Sequence, residues 1–280
     1  MKVLITGCRG MLGSAFMSGF AGAEGVEVDV LDVRRPKEVI GLVSQFGAKL
    51  VVHCAADTDV EGGEDRVERT FAANAILPGL IATGCRRSGA FLVHISSTGC
   101  YGNWKREPYV EDDPLRPTTV HHRSKLAGEQ AVRESGGDWI ILRAGWLYGG
   151  SAANPKNFVV QRIRDARRNS VMLGDTSQVG NPTFVGDVVT QARGLVEAGV
   201  TGVFNCVARG KATRCEYVRA IVEVAGLPCD VREAPDGHFR RRAPVSPNEA
   251  AINRNAGLLG LDIMPDWRTS LEKYVAALNL

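Results

Sequence analysis

The stretch from Thr6 to Gly13 reads Thr-Gly-Cys-Arg-Gly-Met-Leu-Gly, with its glycines three residues apart. Glycine lets the backbone turn tightly and come close to a ligand. Where such a turn opens a helix, the first amide groups of the helix attract the negative charge of a pyrophosphate. An apolar run before the glycines and helical spacing after them favour a dinucleotide-binding loop over a plain glycine-rich turn.

Charged side chains near this loop suggest how the rest of a dinucleotide is held. In such folds an acidic residue about 20 positions beyond the glycines binds the ribose hydroxyls, and Asp29 and Asp32 are both candidates. Arg9, Arg34 and Arg35 lie where arginines either neutralise a 2′-phosphate or are solvated at the surface. The residues therefore leave both NADPH and NADH open.

The elements that position this loop alternate between strand and helix. Apolar strands are predicted over residues 2–6, 26–31, 50–54, 91–96 and 139–143, and helices over 11–22, 39–46, 71–87 and 124–135. Strands that are apolar throughout and separated by helices imply a parallel sheet covered on both faces. Right-handed crossovers then give an α/β fold with a doubly wound, Rossmann-type sheet.

The regular alternation ends after Tyr148. Helices are still predicted over 157–169, 187–198, 214–226 and 267–277, with short strands around 171, 203–206 and 231. We therefore expect a dinucleotide-binding domain over residues 1–150 and a smaller α/β lobe over residues 151–280. Part of the segment 180–206 is expected to pack on the main sheet.

Composition excludes several classes of protein. The chain has 280 residues, of which 44% are apolar and 23% charged, as in ordinary soluble proteins, and its net charge of +3 gives no case for nucleic acid. Seven cysteines without a Cys-x-x-Cys pair indicate buried thiols in a reducing compartment and no metal site. No apolar run reaches the roughly 18 residues of a membrane span. We expect a cytoplasmic protein without a membrane partner.

Two polar motifs carry a resemblance to a known family. Residues 96–102 read Ser-Ser-Thr-Gly-Cys-Tyr-Gly, and residues 117–125 read Pro-Thr-Thr-Val-His-His-Arg-Ser-Lys. They resemble the Ser-Ser-x-x-Val-Tyr-Gly and Pro-x-x-x-Tyr-x-x-x-Lys motifs of extended short-chain dehydrogenases/reductases. The closer similarity is to the dTDP-4-dehydrorhamnose reductase family, which reduces a nucleotide-linked 4-keto sugar. It continues through residues 55–61, 125–129, 143–148, 157–158 and 261–267.

The resemblance implies a role for each matching residue. Ser97 would polarise the substrate carbonyl, and Lys125 would hold the nicotinamide ribose. In a substrate-binding C-terminal lobe, Trp146, Asn157 and Arg242 would contact a nucleotide sugar, although Trp146 equally suits filling the cleft and Arg242 a solvated loop. The resemblance also implies a homodimer and NAD or NADP, with cofactor contacts at Gly7, Arg9, Gly10, Met11, Leu12, Asp32, Val33, Ala55, Ala56 and Asp57.

The chain departs from the family where the proton donor should be. His121 stands in place of the tyrosine four residues before Lys125. An imidazolium is a better acid than a phenol, but the positive charge of Lys125 disfavours it and the imidazole is shorter. His121 is therefore a working acid, a residue with an altered role, or a mark of lost chemistry. We expect His122 to face solvent or to lie behind the substrate contacts, and Tyr101 to pack near the site.

A second departure concerns the nucleotide pocket, because Leu31-Asp32-Val33 merges two acidic positions that the family keeps apart.

Three functions are compatible with these residues. The leading hypothesis is a reductase of a 4-keto-6-deoxy sugar nucleotide that uses Ser97, His121 and Lys125. The alternatives are a cofactor-binding homologue that regulates or scaffolds a partner, and a nucleotide-sugar epimerase or dehydratase. Thr98 and Gly99 weaken the dehydratase alternative, because dehydratases carry an Asp-Glu pair there.

Overall fold

The fold is seen in a computed structural model that describes residues 1–27, 31–154 and 156–278. Its strands are β1 (Val3–Thr6), β2 (Glu24–Val26), β3 (Leu50–His53), β4 (Phe91–Ser97), β5 (Trp139–Ala144), β6 (Trp146–Tyr148), β7 (Val171–Gly174), β8 (Val179–Gly180), β9 (Pro182–Phe184), β10 (Gly202–Cys206), β11 (Ala212–Thr213) and β12 (Asp230–Glu233).

The helices are α1 (Met11–Gly19), α2 (Pro36–Phe46), α3 (Val60–Gly63), α4 (Val67–Phe71), α5 (Leu77–Ser88), α6 (Val120–Glu134), α7 (Phe158–Ala166), α8 (Val185–Glu197), α9 (Arg214–Val224), α10 (Arg254–Leu258) and α11 (Trp267–Ala277). A π-helical turn over Ala72–Ile76 joins α4 to α5, and a 3-10 turn over Thr98–Tyr101 follows β4. Within the described residues, none of these helices combines the length and apolar character needed to cross a bilayer.

Six parallel strands form the central sheet in the order β10-β5-β4-β3-β1-β2, which confirms the predicted fold class. The chain leaves β1 towards β2 and then crosses back to add β3 on the other side of β1. The crevice between the carboxyl ends of β1 and β3 is therefore a topological switch point, where ligands bind in sheets of this kind.

Successive residues of the strands point to opposite faces of the sheet. Val3 and Ile5 pack with α1 and α8 on one face, whereas Leu4 packs with α2 and α5 on the other. Both faces are thus covered, which is why these strands are apolar throughout.

The second strand differs from its predicted bounds. It runs over Glu24–Val26 instead of 26–31, and Gly25 lets it approach the glycine loop, because a Cβ there would lie 2.6 Å from the Cys8 side chain. Residues 28–30, which include the candidate Asp29, lie outside the described part of the chain. Within the described residues, β2 ends at Val26, and Glu27 follows it directly.

The predicted helix over 71–87 is divided by the π-helical turn. Pro78 has no N–H to donate to the carbonyl oxygen of Asn74, so the regular bonding pattern is interrupted there. That oxygen faces Gly128 of α6, where a Cβ would lie only 2.1 Å away. The Asn74 side chain reaches back to the Asp57 backbone and to Ser124.

The C-terminal part of the chain packs partly on the central sheet and partly around a separate aromatic cluster. Helix α8 packs on α1, and β10 pairs with β5 at the edge of the central sheet. Helices α7, α9 and α11 enclose an aromatic cluster of Tyr148, Tyr217, Trp267 and Tyr274. Strand pairs β6-β9, β7-β12 and β8-β11 complete this part. The division between residues 150 and 151 stays a prediction.

Candidate functional site

A cleft of about 670 Å³ lies at the carboxyl ends of the central strands. Its walls come from the glycine loop, the ends of β3, β4 and β5, the start of α6, and C-terminal segments around residues 214 and 241–249. It occupies the switch point at which the fold favours ligand binding. In the described part of the chain, no group of three or more His, Cys, Asp or Glu side chains converges in a way that would hold a metal ion.

One wall of the cleft is the glycine loop. Gly7 adopts a positive φ of 68°, and a Cβ at this position would lie 2.9 Å from the Ala55 backbone. A Cβ on Gly13 would lie 2.1 Å from the Gly7 carbonyl oxygen, so α1 approaches the loop more closely than any side chain allows. Gly10 precedes α1 without a side-chain cap, which leaves the helix N-terminus to an anion. These features fit a bound dinucleotide.

Glu27 directly follows β2 and lines the cleft, although it was not among the residues predicted from the sequence. Its carboxylate accepts hydrogen bonds from the Arg9 amide at 2.7 Å and the Cys8 thiol at 2.8 Å. Burial acts to raise the pKa of Glu27, but these hydrogen bonds outweigh it and lower the pKa. Counting 20 residues from Gly7 would have found this position.

The candidate acid Asp32 and its neighbour Val33 do not line the cleft. Asp32 pairs instead with the Arg34 guanidinium, at 2.9 Å in two of its bonds. Hydrogen bonds from the side chain and backbone of Arg34 lower the pKa of Asp32 to about 2. A local pair between neighbouring residues at the surface thus occupies both groups.

The opposite wall carries Ser97, His121 and Lys125. Ser97 ends β4, and its Oγ accepts a hydrogen bond from the Gly99 amide at 3.2 Å, which leaves the hydroxyl proton for another acceptor. Lys125 is buried on α6 and donates to the carbonyl oxygen of Ile95. Burial lowers the pKa of Lys125 to about 8, although the charge of Glu129 nearby acts against this.

His121 also lines the cleft, from the first turn of α6. Burial, together with the charges of His122 and Lys125, lowers the pKa of His121 to about 3, while the Asp57 carbonyl group acts in the opposite direction. Its imidazole is therefore neutral near pH 7. A neutral imidazole donates a hydrogen bond through N–H but gives up that proton far less readily than an imidazolium.

Of the two positions expected for His122, facing solvent or lying behind the substrate contacts, the first is excluded. Its side chain is only 5% exposed and lines the cleft, with its ring 5.0 Å from that of His121. The ring occupies space above Gly99 that a side chain at that position would fill. The pair of residues could have indicated this position, because a glycine at 99 makes room for a large side chain at 122.

The far end of the cleft is built around Trp146. Its Nε1 donates to the Glu249 carboxylate at 2.8 Å, and the Arg214 guanidinium lies 3.4 Å from the ring centroid. Burial lowers the pKa of Arg214 to about 10 and raises that of Glu249. Gly180 packs closely against the same ring. Arg214 therefore presents a positive charge to the cleft and covers a face of the ring on which a sugar would otherwise stack.

The chain matches the family model described as the RmlD substrate binding domain over residues 1–280. A dTDP-4-dehydrorhamnose reductase of Mycobacterium tuberculosis is 33% identical, over 99% of this chain and 93% of its own length. The protein belongs to the RmlD family. The resemblance inferred from the ordered motifs is thereby confirmed.

Solved structures agree with this family membership. A dTDP-4-dehydrorhamnose reductase from Clostridium acetobutylicum has a TM-score of 0.95 and 27% identity, and the match covers 100% of both chains. The enzyme of the same name from Bacillus anthracis, in complex with NADP, has a TM-score of 0.93 and 26% identity over 98% of both chains.

Most of the residues that the family resemblance implicated meet in the one cleft. Those that line it are Gly7, Arg9, Gly10, Met11, Leu12, Ala55, Ala56, Ser97, His121, Lys125 and Trp146. Sequence order separates the first and last of these by well over a hundred positions. The parallel sheet brings them together because all its carboxyl ends lie at one edge.

The other residues that the RmlD resemblance implicated lie outside the cleft. Asn157 caps α7 and donates to the Tyr274 hydroxyl at 2.6 Å, so its amide groups are occupied. Arg242 pairs with Asp65 at the surface, whereas Arg241 lines the cleft and donates to Glu61 at 2.7 Å. The Asp57 carboxylate accepts from the Thr70 hydroxyl and from the Asp59 amide. These contacts hold the segments that surround the cleft.

Proposed function

We propose that this RmlD-family protein is an NAD(P)H-dependent reductase of a nucleotide-linked 4-keto-6-deoxy sugar. One observation carries the proposal: a single cleft joins the glycine loop to Ser97, His121 and Lys125. A relative that is similar over nearly the whole chain is named dTDP-4-dehydrorhamnose reductase, and this supports the proposal.

The cofactor would lie along the glycine loop. The amides at the start of α1 would bind its pyrophosphate, Glu27 the hydroxyls of the adenosine ribose, and Lys125 the nicotinamide ribose. A reduced nicotinamide held by these residues would supply a hydride to the carbonyl carbon of the sugar. Because a carboxylate at the end of β2 repels a 2′-phosphate, the proposed preference is for NADH.

The keto oxygen would be bound by donors from the opposite wall. The Ser97 hydroxyl proton is free to donate, because its oxygen is the acceptor for the Gly99 amide. His121 offers at most the one N–H of a neutral imidazole, and the Asp57 carbonyl group competes for it. The group that carries an exchangeable proton near pH 7 is Lys125, one helical turn from His121 on α6. Lys125 would therefore supply the proton of the new hydroxyl and regain one from solvent.

The nucleotide end of the substrate would meet Arg214 and Arg241. Both line the cleft, and Arg214 has no carboxylate partner in an ion pair among the described residues. A diphosphate would offset the cost of holding this buried guanidinium beside a second one. Trp146 and Glu249 hold Arg214 in place through the ring contact and the charge opposite it.

Turnover tests the proposal directly. Purified protein, NADH and a dTDP-4-keto-6-deoxyhexose should show loss of the absorbance of the reduced nicotinamide, and Lys125→Met should abolish it. Lack of turnover with any keto-sugar nucleotide and either cofactor would overturn the proposal.

A second candidate is a cofactor-binding homologue without catalysis, and the neutral state of His121 favours it. It predicts that NADH raises the melting temperature while no keto-sugar nucleotide is reduced. Under this alternative, His121→Phe leaves the affinity for NADH unchanged and there is no activity to lose.

A further inference from the structure

His122 is held in one orientation by residues on two sides. Its ring is buried, and its Nδ1 lies 3.0 Å from the Thr119 hydroxyl oxygen. On the other side, a Cβ on Gly99 would lie 2.2 Å from both Cε1 and Nε2 of the ring. Any side chain at position 99 would therefore displace the ring, so Gly99 and His122 fit each other.

Thr119 determines which nitrogen of His122 carries the proton. Its side chain is fully buried and caps α6, where its oxygen accepts a hydrogen bond from the His122 amide at 3.1 Å. A hydroxyl has one proton to donate, and the acceptor that the described residues place within reach is Nδ1 of His122. An Nδ1 that accepts carries no proton, so the neutral imidazole carries it on Nε2.

The Nε2–H group has no protein partner within residues 1–27, 31–154 and 156–278, although the ring lines the cleft. It differs in this from Nε2 of His53 and both nitrogens of His94, which are enclosed away from any ligand. Gly99, which contacts the Nε2 end of the ring, also donates its amide to Ser97. The Ser97 hydroxyl and the His122 N–H therefore stand at the same part of the cleft wall.

We propose that His122 is a further catalytic residue, whose Nε2–H joins the Ser97 hydroxyl in donating hydrogen bonds to the sugar oxygen on which negative charge develops. Thr119 and Gly99 are its positioning residues. This inference rests on the proposed reductase function and deepens it. A neutral donor suits this task, because it stabilises the developing alkoxide without first having to be protonated.

Activity measurements compare variants that differ in the donor. His122→Phe keeps a ring beside Gly99 but removes the N–H, and it should lower kcat about 100-fold, as expected for loss of one such donor. KM and NADH affinity should change little. His122→Gln, which restores a side-chain N–H, should recover part of kcat. A wild-type kcat in His122→Phe, with NADH affinity intact, would overturn the proposal.

Nitrogen NMR of protein labelled with ¹⁵N-histidine tests the same residue without turnover. The resonances absent from His122→Phe should report a proton on Nε2, and Thr119→Val should change the tautomer whereas Thr119→Ser should not. A dTDP-6-deoxyhexose should move these resonances, and dTDP alone should not.

The two proposals fail in different ways. A wild-type protein that reduces no keto-sugar nucleotide overturns the reductase function, whatever the state of His122. A proton on Nδ1, or a resonance unmoved by the sugar nucleotide, overturns the role of His122 even in an active enzyme.

Discussion

At the scale of single residues, burial decides the chemistry of the cleft. The two histidines of α6 are neutral because water is excluded from them and Lys125 is close, and the pKa of His122 is lowered to about 4. The same burial brings the pKa of Lys125 down to about 8. With His121 in place of the family tyrosine, the proposed reductase would take its exchangeable proton from the lysine.

The pH dependence of kcat should follow Lys125. Lys125 is protonated below a pKa of about 8, so kcat should fall as pH rises through that value and should be nearly level between pH 6 and 7. Stopped-flow measurement of hydride transfer at saturating NADH gives this profile. Lys125→Arg, whose charge persists at alkaline pH, should be slower and should lack the alkaline fall. A rate that instead falls above about pH 6.5 would indicate His121 as an ordinary acid.

Glu27 should determine the choice of nucleotide. Glu27→Gln removes the negative charge near the adenosine ribose, so the ratio of kcat/KM for NADPH to that for NADH should rise about tenfold or more, which corresponds to about 1.4 kcal/mol. Asp32→Asn is the matched control, because Asp32 lies outside the cleft, and it should leave the ratio unchanged. A change confined to Asp32→Asn would contradict this assignment.

The sequence predicted which residue types form the site better than it predicted which side chains point into the cleft. The glycine loop, Ser97 and Lys125 are recognisable because their spacing is characteristic. Glu27 was missed because the bounds of a short strand decide which acid ends it. The inward position of Arg241 rather than Arg242 depends on Glu61 and Asp65 in α3 and just beyond it, which no local pattern reveals.

At the scale of elements, the contact with the π-helical turn positions α6, the helix that carries His121 and Lys125. The Asn74 carbonyl oxygen, to which Pro78 has no N–H to donate, lies against Gly128, three residues beyond Lys125. The same asparagine donates to Ser124 of α6 at 3.0 Å. Long apolar strands were predictable, whereas β8, β9 and β11 are two or three residues long and carry too little pattern to predict.

A methyl group on Gly128 should disturb this contact. Gly128→Ala places a Cβ 2.1 Å from the Asn74 oxygen, so α6 must shift, and we expect a loss of about 1–3 kcal/mol in the free energy of unfolding. Gly41→Ala in α2 is the control, because a Cβ there meets only ordinary contacts, and it should stabilise by up to about 1 kcal/mol. Urea unfolding measures both, and equal effects of the two substitutions would contradict the account.

At the scale of the whole molecule, a buried polar network joins the central sheet to α6 and the segments around the cleft. Arg143 of β5 forms two hydrogen bonds with Glu129 of α6, at 2.8 and 3.0 Å. It also donates to Tyr101, whose hydroxyl donates to Asn205 of β10. Arg143 and Glu129 are at most 1% exposed, so each charge depends on the other.

Breaking this ion pair should lower the free energy of unfolding more than the loss of an exposed ion pair does. Glu129→Gln leaves the Arg143 charge buried without a counter-charge, and we expect a loss of about 3–5 kcal/mol in the free energy of unfolding. Glu197→Gln is the control, because its ion pair with Arg193 is exposed, and its effect should stay below about 1 kcal/mol. Thermal and denaturant unfolding compare them, and similar losses in both variants would contradict the role of the network.

The central claim is that one cleft brings the cofactor and a keto sugar face to face. Deuterium transfer tests it most directly: NADH carrying deuterium at the transferable position is incubated with a dTDP-4-keto-6-deoxyhexose, and the sugar product is analysed by mass spectrometry. The account predicts one deuterium bound to carbon in the reduced sugar nucleotide. A product without deuterium, or the absence of a reduced product with either cofactor, would contradict it.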